Sequence, residues 1–436
     1  MTATARSKAA SAAILLAWCL LAIGDSAHAG YYSTAGLACI VVGFALTVVV
    51  AGSGARLEIP DRRLLAVPLL VCVVEAVVAP SKAFLYIHGG DLLAIHLLSV
   101  AATAGATLAL LVPERWQRAA WYAVVALAAA AGIVTIVLIN DPNIDVWDLL
   151  QQSSTGLLHG DDLYRQHWLH STGLQNVYPY LPASTLLLAP FRWVTGDVRF
   201  GLLAASVVSA LVLRRYGTAR SSMLAALLIV MPDWVYLINR SWTEPLLVLL
   251  LAAAVLAVDR DRQGWAMVAL ALALASKQPI VLLVPVFAIW PSFGLRRTIG
   301  SALIAFAIVL PWLIAGPRDL WHDAVHAQLA LAAKTKALNV SALLLQHGHK
   351  VGFWLLAATL LASYAVIAAR VPRTSSGLAL SCAVVMWAYD LANTQTFFNH
   401  YVLPLGLLVV ALGTTGAPRP VPAPAATGLR PEESSS

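Results

Sequence analysis

Long apolar runs separated by short charged loops fill most of this chain. Runs of about 18 or more apolar residues are long enough to cross a bilayer as α-helices. Together with shorter apolar runs, they give fourteen candidate spans, near residues 10–28, 34–53, 64–81, 91–112, 119–139, 199–214, 221–238, 244–258, 264–276, 279–292, 298–315, 351–369, 375–391 and 399–414. The hydrophobic pattern therefore predicts an all-α, polytopic membrane protein.

One polar stretch, the loop 140–180, interrupts this series. It begins where the apolar run 119–139 ends, and it carries acidic and aromatic residues in place of a further apolar run. We expect it to hold amphipathic helices at the membrane surface. The segment Tyr178–Val194 is apolar but contains three prolines. We predict that this segment lies along the surface and does not cross the bilayer.

The distribution of basic residues predicts the orientation of the chain, because cytoplasmic loops collect Lys and Arg. If Tyr178–Val194 does not cross, fourteen basic residues fall in predicted cytoplasmic loops and four on the two tails, together 18 of the 28 Lys and Arg. The loop 140–180 then faces away from the cytoplasm. The segment 316–350, the turn around Lys277 and the turn 394–401 face the same way.

Composition agrees with a membrane protein and excludes several other classes. The chain is 60% hydrophobic and 11% charged, with a mean hydropathy of +0.79, whereas soluble domains carry about 25% charged residues. The net charge of +7 follows from the basic loops, and no basic stripe with interleaved aromatics indicates nucleic-acid binding. The four cysteines lie singly in apolar segments, a pattern that indicates neither a disulfide framework nor a zinc site.

The two ends of the chain have patterns of their own. Residues 1–29 combine basic residues, an apolar run and Ala-His-Ala, which is typical either of a cleavable signal peptide or of an uncleaved first span. We favour the uncleaved helix and predict extra N-terminal spans over residues 1–118. Residues 415–436 are rich in Pro, Ala and Ser, and we predict a disordered cytoplasmic tail there.

Three carboxylates stand at the start of the loop 140–180. Asp141 and Asp145 are four residues apart and Asp145 and Asp148 are three apart, so each pair shares a face if the segment is helical. Two carboxylates on one face can divide acid and base roles. Acids in this position also solvate and cap the start of an interfacial helix. The spacing alone leaves both interpretations open.

Several short motifs follow one another along the chain. They are Asp145-Val146-Trp147, Gly160-Asp161-Asp162-Leu163-Tyr164, Tyr178-Pro179-Tyr180-Leu181-Pro182, Lys277-Gln278-Pro279, Asn339-Val340-Ser341 and Asn399-His400-Tyr401. Their order resembles the GT-C superfamily of membrane glycosyltransferases over residues 119–414. Within it, the chain is most similar to the family-87 type mannosyltransferases of actinobacteria, which use polyprenyl-phosphate mannose. It departs from that pattern at Leu149, where the motif has tyrosine, at Leu181, where it has proline, and in its extra spans before the loop.

The resemblance implies a catalytic base. The aspartate that heads the first extracytoplasmic loop of the family corresponds to Asp145, with Asp141 as a further acid or support. A positioned carboxylate that takes the proton of a hydroxyl supplies about 10²–10⁴-fold in rate. The leaving group of the family, polyprenyl phosphate, is an anion that needs a cation at the membrane boundary.

The candidates for that cation are Lys277, Arg240 and His400. Lys277 interrupts an apolar stretch, where an ionisable side chain is costly and indicates function; alternatively, it marks a tight turn and reaches water. Arg240 and Glu244 either contact the substrate, with Glu244 as an acid or support, or pair with each other at a helix start. Asn339 and Tyr180 are also expected at the donor site.

The resemblance therefore implies an inverting transferase that moves a hexose, with mannose expected, from polyprenyl phosphate to a glycolipid or lipoglycan. The site would face the outside of the plasma membrane, and the donor, the acceptor and membrane lipids would be the partners. No cofactor, metal or nucleic acid is implied. The alternative is a flippase or transporter of lipid-linked sugars, which predicts ionisable residues along a path through the spans. Here the acids are concentrated in one loop.

Overall fold

The computed structural model describes residues 2–78, 90–166, 168, 177–215, 219–349 and 352–414. Within these ranges the chain forms helices and connecting turns and contains no β-strand. The predicted all-α class is confirmed. The predicted C-terminal tail, residues 415–436, lies outside the described residues, as does part of the loop 140–180.

The helices of the N-terminal half are α1 (Ala3–Ser26), α2 (Thr34–Ser53), α3 (Arg62–Val78), α4 (Gly90–Ala109), α5 (Glu114–Leu138), α6 (Asp145–His159), α7 (Pro182–Thr195) and α8 (Arg199–Arg214). Those that follow are α9 (Ala219–Val230), α10 (Trp234–Asn239), α11 (Glu244–Asp259), α12 (Gln263–Leu274), a 3₁₀ helix (Gln278–Leu283), α13 (Val284–Ala288) and α14 (Gly294–Ala315). The last group is α15 (Pro317–Trp321), a π-helical turn (His322–His326), α16 (Ala327–Leu329), α17 (Val340–Gln346), α18 (Phe353–Arg370), α19 (Ser375–Ala392) and α20 (Phe398–Gly413).

Each of the fourteen apolar runs coincides with helical structure in the described residues. Among the described residues, seven helices are long and apolar enough to cross a membrane, or eight if the bent pair of α7 and α8 counts as one span. Several of the remaining helices are shorter than the apolar runs that predicted them. The run 221–238 is divided into α9 and α10 at Asp233, which has a φ of 57°. The polytopic membrane fold is thus confirmed, while the number of crossings depends on how the shorter helices are counted.

Charged loops at one end of the helix bundle contact one another. The Ser375 hydroxyl donates to an Asp259 carboxylate oxygen at 2.7 Å, and Arg260 Nη2 donates to the Arg215 carbonyl at 3.4 Å. Arg215 and Arg260 lie in predicted cytoplasmic loops, and we call this end of the bundle the basic end. Because α11 has 16 residues and an α-helix rises about 1.5 Å per residue, Glu244 lies roughly 24 Å away, at the opposite end.

Helix α7 begins and ends at that opposite end. The Leu181 amide donates to the Ser276 carbonyl at 3.2 Å, and Gln151 Nε2 of α6 donates to the Gly196 carbonyl at 2.9 Å. The chain then bends by 113° into α8, which runs to Arg214 at the basic end. These contacts agree with the prediction that Tyr178–Val194 lies along the surface.

The N-terminal helices pack against the rest of the bundle. Trp18 of α1 is fully buried, and α1 contacts α20. In the turn between α1 and α2, Gly30 has a φ of 77°, and a Cβ at this position would lie 2.2 Å from the Phe398 ring. Tyr31 packs edge-on against Phe397, with ring centroids 6.3 Å apart. The turn therefore lies over the start of α20.

The predicted orientation is tested by cysteine labelling. Asp161 lies in the loop 140–180 and Arg262 at the basic end, and both are exposed. With the four native cysteines changed to alanine, we expect an impermeant thiol reagent to label Asp161→Cys in intact cells. Arg262→Cys should be labelled only after permeabilisation. The reverse pattern would place the loop in the cytoplasm.

Candidate functional site

The segment Tyr178–Pro182 is held in place by hydrogen bonds from outside it. The Tyr164 hydroxyl donates to the Tyr180 carbonyl at 2.9 Å, and Gln278 Nε2 donates to the Pro179 carbonyl at 2.8 Å. Gln278 follows Lys277 directly in the chain. These bonds therefore place the tyrosine-rich segment beside the turn that carries the lysine.

Lys277 forms a buried ion pair. Its Nζ lies 2.7 Å from Glu244 Oε1, and the side chains are 17% and 2% exposed. Asn399 Nδ2 donates to the same carboxylate oxygen at 3.2 Å. An ammonium has three N–H donors, so two remain after the bond to Glu244. The geometry joins Glu244 with residues from two of the candidate motifs, Lys277 and Asn399. Lys277 is thus paired with an acid, whereas the alternative interpretation had its side chain reaching water.

A second acid–base pair lies beside the first. His400 Nδ1, near the start of α20, is 3.6 Å from Asp390 Oδ1, in the last turn of α19. The Asp390 side chain is 2% exposed. Our sequence reasoning missed Asp390, although the signal was present, because an ionisable residue inside a predicted span is a candidate by default.

The two pairs line one pocket at the end of the bundle opposite the basic end. Its other lining residues are Leu247, Pro279, Ile280, Met386, Tyr389 and Leu403. Two carboxylates and two basic groups thus face a space whose remaining walls are largely apolar.

Asp145 is the first residue of α6 and is half-buried, with its Oδ1 accepting from the Val146 amide at 2.8 Å. Asp141 is exposed, and its Oδ1 accepts from the Asn143 amide at 2.8 Å in the preceding turn. The structure therefore distinguishes the two candidate acids. Asp141 closes a turn at the surface, whereas Asp145 is half-buried at a helix N-terminus.

Tyr180 is buried beside the turn that carries Lys277, because Gln278 Nε2 binds the carbonyl of the preceding Pro179. Burial raises the pKa of the Tyr180 hydroxyl, and the negative charges of Glu244 and Asp145 raise that pKa further. Both carboxylates therefore act on the same hydroxyl. The hydroxyl remains protonated at neutral pH and is available as a hydrogen-bond donor.

Arg240 holds the segment that leads into α6. Its Nη1 donates to the Pro142 carbonyl at 2.8 Å and to the Asn143 carbonyl at 3.1 Å. The guanidinium is buried. Arg240 therefore supports the position of Asp145, while Glu244, considered in the sequence as a partner of Arg240, pairs with Lys277. Donor binding by Arg240 stays a prediction.

Asn339 caps a helix. Its Oδ1 accepts from the Ala342 amide at 2.8 Å, and its Nδ2 donates to the Asn393 carbonyl at 2.8 Å. The Ser341 hydroxyl donates to the Ala392 carbonyl at 3.1 Å. These bonds fasten α17 to the end of α19, near Asp390. A direct role for Asn339 at the donor site stays a prediction.

A buried ion pair anchors α6. Arg199 is fully buried and its Nη2 lies 2.6 Å from Asp197 Oδ2. Trp147 Nε1, two residues after Asp145, lies 3.4 Å from both Asp197 oxygens. This contact fixes the N-terminal turn of α6 against α8. Sequence patterns did not predict the contact between Trp147 and Asp197, because these residues are 50 positions apart in the chain.

Removal of the buried cation should destabilise the protein. Arg199→Met leaves the Asp197 carboxylate without its ion-pair partner, and breaking a buried pair costs about 3–5 kcal/mol. We expect a lower midpoint of thermal unfolding in detergent. The control is Arg165→Met, which removes the exposed pair between Arg165 and Asp319 and should change the midpoint little. Equal midpoints for the two variants would contradict the anchoring role.

No family model matches the chain, and no curated protein matches it. Among solved structures, the crystal structure of ArnT from Cupriavidus metallidurans bound to undecaprenyl phosphate is similar over 67% of this chain. The sequence identity is 16% and the TM-score is 0.45, and the chain spans 59% of the length of that protein. The functional conclusion therefore rests on the side chains of the present protein.

Proposed function

We propose that this protein is an inverting glycosyltransferase of the GT-C type, which transfers a hexose from polyprenyl phosphate to a glycolipid or lipoglycan outside the plasma membrane. One observation carries the proposal. Arg240, four residues before Glu244, binds the segment that leads into Asp145, and Gln278, next to Lys277, binds the segment that carries Tyr180. A base and a cation so placed are the two groups that such a transfer needs.

In the proposed reaction, the acceptor hydroxyl oxygen attacks the anomeric carbon of the donor sugar. The proton of the hydroxyl passes to Asp145 as the new bond forms. The bond from the anomeric carbon to the phosphate oxygen breaks, and polyprenyl phosphate leaves with the electron pair. Attack opposite the leaving group inverts the anomeric centre, and a single displacement of this kind needs one base.

Lys277 would stabilise the charge that grows on the departing phosphate. Its ammonium is oriented by Glu244 and keeps two N–H donors for phosphate oxygens. The low exposure of the pair strengthens this interaction, because electrostatic attraction is stronger away from water. The Tyr180 hydroxyl would donate a hydrogen bond to the sugar.

The identities of the sugar and of the acceptor are proposed on separate grounds. Mannose and a glycolipid or lipoglycan acceptor follow from the sequence resemblance to the family-87 type enzymes. The apolar walls of the pocket suit a lipid-linked headgroup, and this supports a polyprenyl donor without selecting its sugar. Donor specificity is therefore the part of the proposal that needs direct measurement.

The transporter alternative needs polar groups along a path through the bilayer. The buried acids Asp25 and Asp390 lie within three residues of the C-terminal bounds of α1 and α19, at the end that carries Lys277. Acids gathered at one end favour a site at the membrane surface over a path. This distribution of acids supports the glycosyltransferase over the transporter.

The proposal is tested with purified protein in lipid nanodiscs. Radiolabelled polyprenyl-phosphate mannose and a membrane glycolipid extract are supplied, with polyprenyl-phosphate glucose in parallel. We expect label to move from the donor into the glycolipid fraction. Movement of intact labelled donor between leaflets of a proteoliposome, with no labelled glycolipid, would favour the transporter.

A further inference from the structure

Asp390 is a buried acid to which the proposed reaction assigns no step. Its Oδ2 has no hydrogen-bond partner among the described residues, and its Oδ1 lies 3.6 Å from His400 Nδ1. A buried carboxylate oxygen without a donor costs free energy. Such a cost, at a residue that lines the pocket, is typical of a functional group.

Most polar groups around Asp390 are already bound to other partners in the described structure. The Lys277 ammonium is bound to Glu244. The Asn399 amide donates to Glu244 as well, and the Tyr389 hydroxyl accepts from Asn393 Nδ2 at 3.0 Å. His400 is the basic side chain that faces Asp390 within ion-pair distance in the described structure.

We propose that Asp390 is a positioning residue, which holds the Nδ1 side of the His400 imidazole so that Nε2 is presented to the donor phosphate. The Asp390 carboxylate is within ion-pair distance of Nδ1, and a carboxylate on that side of the ring favours the orientation in which the other nitrogen meets the ligand. Nδ1 faces Asp390, and Nε2 lies on the far side of the ring. This inference rests on the proposed function, in which the pocket binds polyprenyl phosphate.

The position of the pair in the fold supports this assignment. Asp390 is at the end of α19 and His400 at the start of α20, and the turn between them is fastened by hydrogen bonds. Leu338 N donates to the Thr396 carbonyl at 2.7 Å, and Asn339 Nδ2 donates to the Asn393 carbonyl at 2.8 Å. A turn held from outside keeps the carboxylate and the imidazole at a fixed separation.

The test is a double-mutant cycle on ligand binding. Binding of undecaprenyl phosphate to the full-length protein in nanodiscs is measured for wild type, Asp390→Asn, His400→Gln and the double variant. Loss of an orienting partner behind a ligand-binding histidine typically costs about 10- to 100-fold. We expect Asp390→Asn to weaken binding by at least about tenfold, and to have no further effect when His400 is already glutamine.

Two further variants separate positioning from a structural role. Asp390→Glu keeps the carboxylate and should recover part of the affinity. Ser381→Ala removes a buried hydroxyl of the same helix, one that bonds only within α19, and should bind like wild type. If Asp390→Asn does not fold, Asp390→Glu in the two His400 backgrounds completes the same cycle.

The outcomes are distinct. Wild-type affinity in Asp390→Asn would overturn the positioning role and leave the proposed function in place. An equal loss in both His400 backgrounds would also overturn it, because Asp390 would then act on the fold and not through His400. Failure of the wild-type protein to bind undecaprenyl phosphate would instead contradict the proposed function itself.

Discussion

Asp145→Asn is expected to abolish sugar transfer while leaving expression and donor binding intact. Asparagine has nearly the size and shape of aspartate but cannot accept the proton of the acceptor hydroxyl. A positioned base supplies about 10²–10⁴-fold, and we expect the turnover rate to fall by this factor. The measurement is transfer of labelled sugar under saturating donor, together with the affinity for undecaprenyl phosphate.

The matched control is Asp141→Asn, four residues earlier on the same segment. Asp141 is exposed and closes a turn through the Asn143 amide, so this variant should keep most of its activity. If Asp141→Asn loses transfer and Asp145→Asn keeps it, the base has been assigned one helical turn too late. Loss of donor binding in Asp145→Asn would indicate a structural role.

The apolar pattern could predict the helices and their grouping because both depend on local properties. Run length sets whether a helix crosses the bilayer, and the bias of basic loops sets which loops share an end. The contact of Arg260 with the Arg215 carbonyl joins two loops that the charge bias had grouped. The run 221–238 was predicted as one span, but the structure breaks it at Pro232 and Asp233 into two shorter helices.

The pairing of side chains could not be predicted, because it depends on how distant helices pack. Glu244 is four residues from Arg240, and the local spacing suggested that these two would pair. The partner in the structure is Lys277, 33 residues away, while Arg240 binds carbonyls nearly 100 residues earlier. Sequence patterns contain the candidates for such a site but not the partners.

Asp390 was missed in the sequence for a different reason. The residue lies inside an apolar run that we read as one membrane span, and the span was assigned by its average hydropathy. A single acid changes that average little, although its cost in a membrane makes it informative. Examining each predicted span for ionisable residues would have identified Asp390 before the structure placed it beside His400.

Lys277→Met is expected to weaken donor binding and to slow turnover together, because the ammonium would contact the phosphate both before and during its departure. Removing one partner of a buried charge pair typically costs about 2 kcal/mol or more, or roughly 30-fold in affinity. Lys277→Arg should restore only part of this, since a planar guanidinium does not reproduce a compact charge. Affinity for undecaprenyl phosphate and the rate of sugar transfer are the two measurements.

Lys277→Met also leaves the Glu244 carboxylate buried without its cation. Breaking a buried ion pair destabilises the folded protein by about 3–5 kcal/mol. The double variant Glu244→Gln/Lys277→Met separates this effect, because it removes both charges and keeps an amide for Asn399 to bond. We expect the double variant to regain thermal stability and still to bind donor weakly. If it regains stability and donor affinity together, the ammonium acts only to neutralise Glu244, and His400 becomes the leading phosphate ligand.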